Sequence, residues 1–231
     1  MSTDSPNLID LAESMNEQSQ RLKAASAIAA TGATDIRDDL VRQHMLHSAE
    51  LVRGAAALGR EHNAACLGIL ARSLLETLIS ELWVVISTDN AEEQRKVEIA
   101  ELARVLKINL QSDKAKIWNR HSGEDATAEF LETDRMKSIP KRKSVFDQAA
   151  EAGVTDLYNI FYRFLSMETH GHNKMKHPEE DDPHMLSTMH IQGIGAVNRA
   201  IGHVGVRWLL HRERTDNESL RDVLGLNGTQ P

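Results

Sequence analysis

The chain has 231 residues, 41% of them hydrophobic and 26% charged, with a net charge of −7. This balance suits one folded domain with an ordinary core and argues against a broad electrostatic grip on nucleic acid. A single cysteine excludes an internal disulfide framework and a cysteine-based zinc site, and 4% aromatic residues with five prolines favour helix over sheet.

In chain order, the polar start Met1–Pro6 carries no signal-peptide pattern, so a cytoplasmic protein is expected. Ser5 as N-cap and Pro6 at the first helical position open a helix whose stripe is Leu8, Leu11, Met15, Leu22, Ala25 and Ala29, with Gly32 as its stop. The stripe is thin, which suits the edge of a domain or a second subunit. Thr34 is expected to cap the next helix, with Ile36, Leu40, His47, Leu51, Ala55 and Leu58 inward. Asn63 to Thr88 is the most apolar stretch, and Cys66 reads as a small core residue within it. Arg72, Glu76 and Glu81 interrupt it, each at a cost of about 3 kcal/mol at a membrane centre, so it reads as the central helix of a bundle and not as a span.

Asn90 and Glu93 have the spacing of a capping box for a helix from Ala91 to Leu110. Short helices are expected at Lys114–Arg120 and Ala126–Asp134. Lys141, Arg142 and Lys143 form a basic connector or an anion-binding lip. Ser144 caps Val145–Ala152, and Gly153 ends it. The last long helix starts at Asp182 or Pro183, and Gly193, Gly195, Gly202 and Gly205 suit a close neighbour.

Thr155 to His172 reads as one further helix, with Thr155 as N-cap. Tyr158, Tyr162, Ser166 and His170 recur every fourth residue and form a polar ribbon, with Asn159 and Arg163 beside it. Ile160, Phe161, Phe164, Leu165 and Met167 cover the other faces, so the helix is expected to be buried. Arg72 and Glu76 are one turn apart on the central helix and are the expected charged partners of this ribbon. His170, His172, His177, His184 and His190 stand close in sequence among four acidic residues, Glu179 to Asp182. Their spacing matches no metal motif, so a solvated loop without metal is expected, and no cofactor either.

R-S-L-L-E on the central helix, followed by I-P-K-R-K-S-V-F and then Y-N-I-F-Y-R-F-L-S-M-E-T-H-G-H, resembles a bacterial helical family, domain of unknown function fifty-six seventy-seven, over roughly Gly54 to His211. That family brings a fold and no established activity. More distantly the chain resembles the HEPN superfamily of helical bundles, many of them metal-independent endoribonucleases of toxin or antiviral defence systems, marked on a late helix by an arginine, four to six intervening residues and then a histidine. Arg163 and His170 enclose six residues. The resemblance implies His170 as acid/base, Arg163 as phosphate clamp and Glu76 as the group orienting His170. Arg72, Tyr162, Ser166 and Asn159 then contact an RNA or nucleotide, and a homodimer completes the cleft. Arg163 and His170 are about 10 Å apart along one helix, a gap that a two-fold assembly would shorten. The alternative is a non-catalytic bundle that binds a nucleotide, another phosphate ligand or a protein, with Arg72, Glu76, Ser166 and His170 as a structural network. The expected fold is all-α: one bundle of about six to eight helices around a buried central helix, with residues 1–33 as a peripheral helix, 34–214 as the core and 215–231 as a tail.

Overall fold

The computed structural model describes residues 8–29, 35–61, 63–133, 143–169 and 183–211. They are helical and carry no named strand, which is the all-α class expected. The elements are α1 (Leu8–Ala29), α2 (Ile36–Arg60), α3 (Ala64–Ile86), α4 (Thr88–Gln111), α5 (Thr127–Leu131), α6 (Val145–Glu151), α7 (Thr155–Leu157), a π-helical turn (Tyr158–Tyr162), α8 (Arg163–Thr169) and α9 (Pro183–His211). The described residues of 1–88 and 145–231 make one compact unit, and those of 89–144 another.

In the first unit, side-chain chemistry fixes where the helices start. Thr34 lies outside the described residues, and the cap of α2 is Asp35. Its carboxylate accepts from the Arg37 amide, while Asp38 reaches back to the Asp35 amide, a reciprocal box that satisfies two orphan donors. Asn63 caps α3 and accepts from the Cys66 amide at 3.1 Å. From Thr77 to Ser80 and Glu81 every residue of α3 is buried. A full turn without a solvent face needs neighbours on every side, and α3 packs on α2, α6, α8 and α9. It is the central helix, as its composition predicts.

The helices pair antiparallel in a register that can be read from their contacts. Across α1 and α2, Ser19 donates to the Ala49 carbonyl at 2.6 Å and Ser26 to that of Arg42 at 3.2 Å. Buried serines thus complete the thin stripe of α1, alongside Ala12, Met15, Leu22 and Ala25. The stripe packs within the chain, on α2 and α9. Across α2 and α9, Trp208 donates to Asp38 at 2.9 Å and Ser48 to Asn198 at 2.7 Å. A side chain on Gly205 would meet the Met45 sulfur at 2.7 Å and a Glu81 oxygen at 3.3 Å, so the glycine lets α9 approach α2 and α3 closely. Gly193, by contrast, faces open space. On α2 the expected inward His47 is exposed; the core face carries Val41, Met45, Ala49 and Val52.

Between α6 and α7 the chain turns through Gly153 at φ +70°. The Val154 amide bonds back to the Ala149 carbonyl and the Gly153 amide to that of Ala150, a Schellman closure. Val154, held by that closure, is the residue before α7, so Thr155 is the first helical residue instead of the cap. The expected single helix is then interrupted by the π turn, in which the Arg163 amide reaches the Tyr158 carbonyl five residues back. It is not buried on several faces either. Ile160, Phe161 and Phe164 are 62%, 55% and 49% exposed, because only the Tyr162 side of the segment meets α3.

The second unit starts within α4, whose first residue is Thr88, ahead of the expected Asn90 box and straight after extended Ser87. The helix expected at Lys114–Arg120 is absent among the described residues. Asn119 instead takes the amides of His121 and Ser122 on its side chain, and Trp118 pairs antiparallel with Asp125. Lys143 bonds Glu93 at 3.4 Å, while Lys141 and Arg142 lie outside the described residues. No described helix is long and apolar enough to cross a membrane.

Candidate functional site

Arg72 stands on α3 two turns beyond its start, on the side that meets the π turn. Its guanidinium donates to the Tyr162 hydroxyl at 3.1 Å and lies 5.2 Å from that ring's centroid. The phenol thus offers both a hydrogen-bond acceptor and a ring face to the same cation. The bond to Tyr162 comes first among the influences that hold the Arg72 charge more firmly than usual, against some desolvation; Glu76 adds to it from one turn along α3.

Behind Tyr162 the aromatic rings continue. Tyr158 stacks on it at 4.9 Å with the planes 21° apart, and Phe146 of α6 meets Tyr158 edge-on at 5.3 Å. The expected ribbon is therefore real for Tyr158 and Tyr162, and the π turn is the segment that stacks them. Ser166 is half-buried on α8, one turn on. Asn159 and Arg163 do not join this contact; both are exposed. Glu76 is half-buried, and so is Arg72, so the cluster meets solvent. His170 and His172–Asp182 lie outside the described residues. Among the described residues no group of three or more histidine, cysteine or acidic side chains is placed to hold a metal.

Tyr162→Phe separates the two parts of the Arg72 contact. It keeps the ring under the guanidinium and removes the acceptor. Hydrogen bonds to charged groups contribute about 1.5–3 kcal/mol, and partial exposure of Arg72 moves the expected loss to about 1 kcal/mol. Urea denaturation measures it; no change would mean that the phenol oxygen does not hold Arg72 in solution.

Two titratable groups hold sealed polar atoms that the sequence did not single out. Glu81 is fully buried, and neither carboxyl oxygen has a hydrogen-bond partner among the described residues; burial drives its pKa well above the ordinary carboxylate range. Its signal was present in the sequence, an acid surrounded by Leu78, Ile79, Leu82 and Trp83. His44, on α2, has a sealed Nδ1 without a partner among the described residues. Burial, aided by His47, lowers its pKa to about 4.

The model of the Family of unknown function (DUF5677) matches residues 38–184, which span α2, α3 and α8. No curated protein and no solved structure matches the chain.

Proposed function

Because the chain belongs to the DUF5677 family of unknown function, we propose from its site that it binds a phosphate-bearing ligand, RNA or a nucleotide, on the face shared by α3, the π turn and α8. The observation that carries this is the Arg72–Tyr162 contact on a cluster that meets solvent. A guanidinium held in one orientation loses little freedom when it meets an anion. Arg163 adds a second cation, and Asn159 and Ser166 add hydrogen-bonding groups on the same segment.

A second reading is metal-independent RNA cleavage, favoured by the exposure of Arg163 at the start of the helix that leads to His170. In it His170 moves the proton of the 2′-hydroxyl or of the leaving oxygen, with Glu76 orienting it. Arg163 and Arg72 stabilise the charge that develops on the phosphoryl oxygens. A homodimer would set two such helices at one cleft, and light scattering at micromolar concentration reads that state.

One experiment separates the readings. A fluorescent single-stranded RNA is mixed with the protein in EDTA, and both anisotropy and product ends are followed. Cleavage leaving a 2′,3′-cyclic phosphate, absent in His170→Ala, establishes the nuclease. Intact RNA whose binding weakens in Arg163→Ala, with a salt slope smaller by about 1, establishes binding alone. No binding of RNA or of a nucleotide leaves the cluster a structural device.

A further inference from the structure

The side of the π turn and α8 that faces away from α3 keeps three large apolar side chains open to solvent. Ile160, Phe161 and Phe164 are exposed there, while Tyr162 is buried. At about 100° per residue Ile160, Phe161, Arg163 and Phe164 share one arc, with Tyr162 opposite. Two of the chain's four phenylalanines thus stand on an outer surface, although aromatic rings ordinarily supply core volume.

Arg163 lies between the two rings along the chain. It is exposed, and no acid bonds it among the described residues. Arg37, Arg42, Arg53 and Arg104, by contrast, each bond an acid close by in the chain. Exposed Asn159 borders the arc with a carboxamide donor and acceptor. The surface is therefore ring, free cation, ring, with a polar edge.

We propose that this arc binds the bases of a single-stranded RNA, with Phe161 and Phe164 as stacking platforms and Arg163 on the phosphate between them. The inference rests on the reading that this segment binds RNA or a nucleotide, and it narrows that ligand to a strand whose bases are unpaired. A phenyl ring offers a flat face, and every base has a matching one, so the contact tolerates any sequence. The guanidinium fork fits phosphate oxygens. Phe161 and Phe164 stand about 4.5 Å apart along the axis, within the step between neighbouring nucleotides. In a duplex the base faces are taken by their neighbours, so the rings find no partner and the attraction of Arg163 alone remains.

Size and charge favour this occupant. Three half-exposed side chains of this kind leave about 300 Å² of apolar surface open. Each partner of a stable dimer brings about 800 Å², so the arc by itself is too small for a second copy and suits a few bases. A net charge of −7 disfavours a grip on RNA by charge alone, and stacking does not depend on it.

Anisotropy of a labelled 2′-O-methyl RNA strand tests this, because a strand without free 2′-hydroxyls reads binding without cleavage. The variants are Phe161→Leu/Phe164→Leu, which keeps apolar bulk and loses the rings, and Phe161→Tyr/Phe164→Tyr, which keeps the rings. The leucine pair is expected to bind about tenfold more weakly with an unchanged salt slope, and the tyrosine pair within about twofold of wild type. The wild type is expected to bind the same strand annealed to its complement about tenfold more weakly than the single strand. Wild-type binding by the leucine pair, equal losses in both pairs, or equal affinity for duplex and single strand overturns the proposal. If Arg163→Ala weakens binding while the leucine pair does not, RNA binding stands and base stacking falls. If the wild type binds no strand, both fall. A smaller mass of the leucine pair by light scattering, with RNA binding unchanged, would make the arc a contact between copies and overturn the proposal as well.

Discussion

Trp83→Ala is expected to remove about 4 kcal/mol of stability, the largest single-residue loss in the bundle. The side chain is 1% exposed and is the largest of the fully buried ones. Removing the indole takes away its apolar burial and leaves a cavity that the surrounding helices can only partly fill. It also removes the pin to α6, where the indole N–H donates to a Glu151 oxygen at 2.5 Å. The two parts can be separated. Trp83→Phe keeps most of the buried ring and loses the N–H, and is expected to cost about 1–2 kcal/mol, since Glu151 is exposed and can turn to water. For a chain of this length the alanine variant should melt roughly 10 °C lower. Equal losses in the two variants would mean that the hydrogen bond dominates and the cavity closes.

Asp38→Ala is expected to cost about 3 kcal/mol, although the residue lies in the first turn of its helix, where exposed acids usually contribute far less. Asp38 is 2% exposed and serves two elements at once. One oxygen accepts from the Trp208 indole of α9 at 2.9 Å, and the other accepts from the Asp35 amide at 3.3 Å. Alanine leaves both donors without their acceptor. Arg37 lies 4.7 Å over the Trp208 ring, so the same indole is held on its face as well as its edge. A double-mutant cycle with Trp208→Phe isolates the pair, with an expected coupling of about 1–2 kcal/mol. Additive losses would place the effect in the cap alone.

The pattern of apolar residues was enough to find α2, α3 and α9, because long helices repeat their buried face several times. Asn63 and Gly153 marked helix ends legibly, the first by a side chain that replaces a backbone acceptor, the second by a backbone angle that other residues resist. Lys114–Arg120 was misread because a few residues carry too little periodicity to outweigh the turn made by Asn119. The segment from Thr155 onward was misread for a different reason. It is apolar on several faces, and periodicity does not say which face finds a neighbour; Tyr162 does, while Ile160, Phe161 and Phe164 do not. The π turn left no mark in the pattern either, since one wider turn alters hydrogen bonding without altering composition.

Of the candidate site, the sequence named both members of its central contact, Arg72 and Tyr162, and made Arg72 a partner of the ribbon that holds Tyr162, but did not say which ribbon residue it bonds. Their separation of 90 residues closes only when α3 and the π turn pack. Arg163 and Asn159 were legible as polar residues, and their exposure was not. What the sequence by itself determined is the all-α class and the central place of α3, because both depend on local propensity and on apolar content summed along one helix. Only the tertiary structure decided which charges are buried. Glu81, Glu76 and Arg72 share one helix, and the neighbours of each differ: α9 and Met45 close over Glu81, while Tyr162 meets Arg72 at an edge open to water. Desolvation is a property of what surrounds a group in space: the apolar run around Glu81 hinted at it, and the packing of the neighbouring helices decided it.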